Sequence, residues 1–480
     1  MTSIADDASP ERRPDLARAI AEHVVRVAYE DLSPTDVEAT KKLVLDTLAT
    51  SVAGSGETPF PALLDHLVRE GGRGESTVLV HGARLPARHA VTLNSGMARA
   101  IDLDDVHEEA IVHTGVHVVP AALALAEREG GISGRALLVA IAAAQDVMIR
   151  LSLACETRPI LRGRPGTYVF GTFATALVAA KLLRLGVDAT VDALGNAYTR
   201  SAGTTLGYHQ GALAQRTMKG LAASDGVLAA LLAQRGIGGI TDCFEGDAGY
   251  FPVHEQGRYD RSRVLDGLGS RFLGTQTALK RYPVHRGAAL DIEVALAVRR
   301  DPAFDLAQVE RVEVRYPARF EAGHARIGAF APGREDPKGP IEPHFSNPWA
   351  IGVALARTVV GVDDFTEAGV ARLRREVVPI AAKVRGIADP ALDADVRGLG
   401  PRVLEVTLKN GRRITARVEG APGGPDEPFS WPQLTAKLDD CARRSVRPLA
   451  PESLEELVRT AQSLEQVEDC ARIPAMLVGQ

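Results

Sequence analysis

Cysteine is scarce in this chain: there are 4 in 480 residues, Cys155, Cys243, Cys441 and Cys470, all far apart. With no CxxC pair and no close spacing, neither a thiolate metal site nor a disulfide framework is expected, and a reducing cytoplasm is the natural setting. An excess of one charge is also lacking, since the formal net charge of -5 is spread along the chain. No basic stripe invites nucleic acid. Long hydrophobic runs are missing too. The best, "ALLVAIAAAQDVMIRL" from Ala136, is broken by Gln145, Asp146 and Arg150, short of the ~20 apolar residues of a membrane span. The opening "MTSIADDASPERRPD" has no apolar core, so it reads as neither signal peptide nor anchor, and a frayed tail over 1–15 is expected. There is no internal repeat.

What is present is the balance of a folded protein, 45% apolar and 24% charged, in a chain long enough for two or three domains. From Ser33 to about Gly239 one amphipathic segment follows another, as in "DVEATKKLVLDTLATSVAGS", "GRALLVAIAAAQDVMIRLSLA" and "GTFATALVAAKLLRLG". Apolar spacing of three and four predicts helices, and their alanine content on several faces predicts burial on more than one side. After Arg271 the pattern changes. "VERVEVRYP" alternates as a strand does, and "RVLEVTLKNGRRITARVE" reads as two strands around Asn410-Gly411, a strong hairpin signal. The expected fold is mostly α with a smaller α+β domain. Its parts are a tail (1–15), a helical domain (16–268), an inserted α+β domain (269–422) and a return to the helical domain (423–480).

Three stretches carry titratable groups in patterns that suggest chemistry. In "AIDLDDVHEEAIVHTGVHVVPAALALAE" five carboxylates and three histidines fall within sixteen residues. Asp102 and Asp105, three apart, are expected to share a helix face, with His107, Glu108 and Glu109 where the helix gives out. Three readings stand: an acidic helix end, a metal site on His113 and His117, and a carboxylate-oriented histidine moving protons near neutral pH. Gly115 between the two histidines weighs against the metal site. In "ALKRYPVHRG", Lys280, Arg281, His285 and Arg286 surround a Tyr282-Pro turn at the expected domain junction, a favoured place for ligands. In "HQGALAQRTMKGLAASDG", Arg216 and Lys219 precede a small-residue helix and are candidates to hold a carboxylate.

Taken with "KLVLDTLATSVAGS", "EPHFSNPWAIGVAL" and "GGPDEPFSWPQLTAKL", these stretches resemble the MmgE/PrpD family over nearly the whole chain. Its members include 2-methylcitrate dehydratase, cis-aconitate decarboxylase and iminodisuccinate epimerase. The resemblance implies a helical domain and a smaller α+β domain with a cleft between them, a homodimer, no metal or organic cofactor, and a small carboxylic acid as substrate. By position it implies Asp102, His113 and Lys280 as catalytic residues, with Asp105, His107, Arg216, Lys219, Tyr282 and His285 around the substrate. No nucleic-acid or membrane partner is implied.

Several positions depart from the family pattern. Val106 stands where threonine is usual, Pro165 and Ala289 where histidine is, Gln215 where lysine is, and Trp349 where tyrosine is. Fewer cations and a bulkier apolar group predict a substrate with fewer carboxylates, or a larger apolar part, than 2-methylcitrate. The leading expectation is a cofactor-free dehydratase of a hydroxy-carboxylate working by proton abstraction, with His113 oriented by Asp102 and the acidic cluster polarising His107 and His113. Decarboxylation and epimerisation are the alternatives within the family, and a silent acid-binding relative is a further one.

Overall fold

The computed structural model describes residues 13–394 and 398–480. Residues 1–12 of the expected tail lie outside them. Asp15, by contrast, is part of the fold: it caps the helix Leu16–Arg26, accepting from Ala17 N at 2.8 Å, and also accepts from Glu245 N at 2.6 Å.

Two large apolar cores organise the described residues, with a small third cluster of Tyr208, Ile341 and Phe345. The larger belongs to a body of helices. Pro34–Ala53 begins at Ser33, whose hydroxyl accepts from Asp36 N while Asp36 reaches back to Ser33 N, a reciprocal cap. Gly134–Ala154 passes through the middle of this body. It is long and apolar enough to cross a membrane, yet here its faces are covered by other helices and it carries a buried Arg150 to Asp146 ion pair. Ala214–Gln234 crosses Ala87–Arg99 and Gly166–Leu182 closely. A Cβ at Gly220 would sit 1.9 Å from the Thr92 carbonyl oxygen, so that crossing needs glycine.

The smaller core lies under a four-stranded sheet, β1 (Val309–Pro317), β2 (Val384–Asp389), β3 (Arg402–Leu408) and β4 (Arg413–Val418). Its order is β2-β1-β3-β4, with β2 parallel to β1 and the other pairs antiparallel. The Arg286–Arg299, Asn347–Ala356 and Glu367–Ala381 helices complete this α+β part. Past residue 430 the chain packs on the helical body again: Trp431–Ala442 lies against Pro34–Ala53, and Trp431 Nε1 donates to Glu38 at 2.8 Å.

A very short pairing positions the site. Val106–His107 runs antiparallel to Thr277–Ala278, so the residues that follow Ala278 lie beside those that precede Val106. Lys280 is thereby placed next to Asp102.

Candidate active site

The acidic stretch is not the end of a helix. The helix before it stops at Arg99 and the next starts at Gly115, and residues 100–114 form an irregular loop in which Asp102 takes a left-handed φ of 54°. Asp102 and Asp105 therefore do not share a helix face, and the loop sends its carboxylates in different directions. Asp102 and Asp104 turn inward. Asp105 caps the following helix, taking N–H donors from Thr114 at 2.8 Å and Gly115 at 2.9 Å and the Thr114 hydroxyl at 2.9 Å. Glu108 reaches the small domain and pairs with Arg286 at 2.7 Å. Glu109 is exposed and lies 3.8 Å from Arg158.

Around Asp102 and Asp104 the buried charges balance. Lys280 Nζ, fully buried, donates to the Asp102 carbonyl at 2.9 Å and to its carboxylate at 3.0 Å, and lies 3.8 Å from Asp104. Arg99 pairs with both carboxylates, with Asp104 at 3.0 Å. Burial alone would raise both carboxyl pKa values, but Arg99 and Lys280 hold Asp102 down at about 2, and Arg99, His113 and Lys280 hold Asp104 below the usual range. Burial lowers Lys280, against the pull of the two aspartates. Two anions and two cations thus form a compact neutral cluster. Asp102 Oδ2 and Arg99 Nε are buried there without hydrogen-bond partners among the described residues, which is unusual for polar atoms in a folded interior.

The carboxylate beside His113 is Asp104, not Asp102. His113 Nδ1 lies 2.6 Å from the Asp105 carbonyl and 3.0 Å from Asp104 Oδ2. A carbonyl oxygen can only accept, so Nδ1 carries the proton and Nε2 is the basic nitrogen. Burial lowers the His113 pKa, and Asp104 pulls it back up.

Lys219 enters from the helix Ala214–Gln234. Its ammonium contacts the Gln215 carbonyl at 3.2 Å, Gln215 Oε1 at 3.3 Å and the Tyr208 hydroxyl at 3.4 Å, with no carboxylate of the described residues in salt-bridge range. Burial and then Arg99 lower its pKa to about 7, against Asp104 and Asp102. Gln215, where the family pattern has lysine, sits one helical turn before it.

Other expected site residues serve elsewhere. The Arg216 guanidinium is committed to Glu57 at 3.0 Å, the Thr58 carbonyl at 2.7 Å and the Pro340 carbonyl at 2.9 Å, so it is not free to clamp a carboxylate. It lines a cavity of about 220 Å³ together with Ile101 and His344. Tyr282 turns into the small domain and donates to Glu293 at 2.7 Å. His107 faces no carboxylate among the described residues: its Nδ1 accepts from Ala110 N at 3.1 Å, and burial takes its pKa to about 4. Trp349, fully buried in the small-domain core, donates to the Asp364 carbonyl at 3.3 Å and makes no substrate surface apolar. His117 packs against Gly171, where a Cβ would come within 2.4 Å of Nε2, and burial followed by Lys219 lowers its pKa to about 3. Among the described residues no group of three or more His, Cys, Asp or Glu side chains is arranged to hold a metal ion.

Reading the sequence missed Arg99 and gave Asp104 no separate role. Arg99 carried a signal, because it lies three residues before Asp102 and five before Asp104, at the end of a helix.

Residues 18–262 match the MmgE/PrpD N-terminal domain and residues 282–462 the MmgE/PrpD C-terminal domain. The chain belongs to the MmgE/PrpD family. Among its relatives is a cis-aconitate decarboxylase of Aspergillus terreus, 26% identical over 456 residues that cover 92% of each chain. Human cis-aconitate decarboxylase is 26% identical over 474 residues, 96% of this chain and 94% of that one. A cis-aconitate decarboxylase-like protein of Aspergillus oryzae, oryM, is 28% identical over 312 residues, and the match spans only 60% of this chain and 61% of that protein. This member of the family is an enzyme of the lyase class.

Proposed function

We propose that this chain is a carboxy-lyase acting on a small unsaturated polycarboxylate of the cis-aconitate kind. The observation that carries the reading is the buried neutral cluster of Asp102, Asp104, Arg99 and Lys280, with Lys219 beside it as a cation that no carboxylate of the described residues pairs with. Relatives named for cis-aconitate decarboxylation support this reaction over the dehydration favoured from sequence alone.

The chemistry follows from the groups available. Substrate carboxylates are held by Lys219 and Lys280, and a dry, pre-oriented set of cations favours charge that spreads as the reaction proceeds. The bond to the departing carboxylate breaks, and its electron pair stays on the carbon framework, delocalised toward a remaining carboxylate. Carbon dioxide leaves. His113 in its imidazolium form gives its Nε2 proton to carbon, and Asp104 stabilises that imidazolium from the Nδ1 side.

Purified protein is incubated with cis-aconitate and, in parallel, with 2-methylcitrate, and followed by proton NMR and carbon dioxide release. The expected result is decarboxylation of cis-aconitate, reduced roughly 10²–10⁴-fold in His113→Ala. Dehydration of 2-methylcitrate without carbon dioxide release from either acid would replace this reading with the hydro-lyase one.

A further inference from the structure

The small domain holds a second histidine whose protonation is set from behind by a line of buried polar side chains. His285 Nε2 lies 2.6 Å from Asn347 Oδ1, and Asn347 Nδ2 lies 2.6 Å from Asp291 Oδ2. Asp291 Oδ1 accepts from Arg402 Nε at 3.1 Å, and Arg402 also donates to the Leu399 and Pro401 carbonyls at 3.1 Å each. Asn347 and Arg402 are fully buried and Asp291 is 1% exposed. The line runs from β3 through the middle of the helix Arg286–Arg299 to the start of the helix Asn347–Ala356, and ends at His285, the residue capping Arg286–Arg299.

Its direction is fixed by chemistry. Arg402 only donates, so Asp291 faces it as a carboxylate acceptor. Burial raises the Asp291 pKa, and Arg402 and Asn347 oppose that rise. Asn347 must then present its NH2 to Asp291 and its carbonyl oxygen to His285, an assignment that rests on the network rather than on the shape of the amide. An amide oxygen only accepts. His285 Nε2 therefore holds the proton, and Nδ1 keeps a lone pair that accepts no hydrogen bond from the described residues. Burial lowers the pKa of this ring to about 4, against Asn347 and Asp102, and the ring stacks at 6.3 Å on Phe345, which packs at 5.1 Å on Tyr208, the neighbour of Lys219.

We propose that Asn347, held by Asp291 and Arg402, is a positioning residue that keeps His285 in the Nε2–H tautomer and offers its Nδ1 lone pair to the substrate. His113 in the helical body and His285 in the small domain then present basic nitrogens of opposite type, Nε2 and Nδ1. The tautomer assignment stands on hydrogen bonding alone, while its effect on turnover rests on the lyase reading above.

The test begins with the unaltered protein carrying ¹⁵N-labelled histidine. Long-range proton–nitrogen correlation reads the tautomer of each ring, and the His285 signals are identified by their loss in His285→Gln. The expected result is a proton on Nε2 and none on Nδ1; a proton on Nδ1 overturns the proposal whether or not the protein decarboxylates anything. In Asn347→Leu the His285 signals are expected to show mixed tautomers, with kcat lowered about 10²-fold, the lower end of a proton-transfer contribution, at nearly unchanged KM. Retention of a pure Nε2–H signal and of the wild-type kcat in Asn347→Leu would also overturn it. If no substrate is turned over, the tautomer measurement still decides the assignment and the failure belongs to the lyase reading.

Discussion

Asp104 and Asp105 are neighbours in the chain and equally buried, yet their carboxyls shift in opposite directions. Asp104 lies among Arg99, His113 and Lys280 and stays ionised; Asp105 is pushed up to about 7 by burial and by Asp104, which the N–H groups of Gly115 and Thr114 offset only in part. An aspartate in an unfolded chain titrates at about 3.9. The folded state therefore binds the Asp105 proton more tightly, and this contribution to stability is full below about pH 4 and is lost as pH rises through about 7. Asp105→Asn should show a smaller fall in Tm between those two pH values than the wild type, measured by thermal unfolding across the range. Lys219 gives a second pH signature. Its ammonium is present below about pH 7 and lost above it, so KM for an anionic substrate should rise with pH through that value. Lys219→Met should have a higher KM at pH 6 and a flatter KM profile, and a wild-type KM independent of pH from 6 to 8 would remove Lys219 from substrate binding.

At the scale of elements, close backbone contacts hold the charged groups in register. Gly423 has φ +85°, and a Cβ there would sit 1.9 Å from the carbonyl oxygen of Leu279, the residue before Lys280. Leu279 N in turn donates to the Gly423 carbonyl at 2.8 Å. Gly423→Ala should shift the Lys280 segment, costing about 1–3 kcal/mol in chemical denaturation and lowering kcat, although residue 423 touches no substrate. The helices of the larger body and β1, β3 and β4 agree with the periodicity of the sequence. The Asn410-Gly411 turn does so closely, with Gly411 at φ +85° between paired Thr407 and Arg413. β2 gave no such signal. It is an edge strand whose residues are mostly half-buried, so neither strict alternation nor a continuous apolar run marks it.

Across the whole molecule, the returning C-terminal chain braces the acidic loop from behind. Lys437 pairs with the fully buried Asp46 and donates to the Leu103 carbonyl at 2.9 Å, between Asp102 and Asp104. Lys437→Met leaves Asp46 buried without its cation, and removing one partner of such a pair costs about 3 kcal/mol or more. The variant should show that loss in urea unfolding together with reduced turnover at a temperature where it remains folded; unchanged turnover would mean that the loop holds its shape without this brace.

The amino-acid order by itself determined the helical body, the smaller α+β part and the three stretches that make up the candidate site. Those features follow from local periodicity, turn chemistry and the types of residue present. Only the tertiary structure decided which carboxylate faces which base. Asp102, Asp104 and Asp105 differ in role because a loop with a left-handed residue turns them toward different neighbours, and those neighbours, Lys280, Arg99 and the N–H groups of the next helix, come from separate parts of the chain. Arg216 and Trp349 were misplaced for the same reason: a side chain's type is written in the sequence, but the direction it points is set by what packs around it.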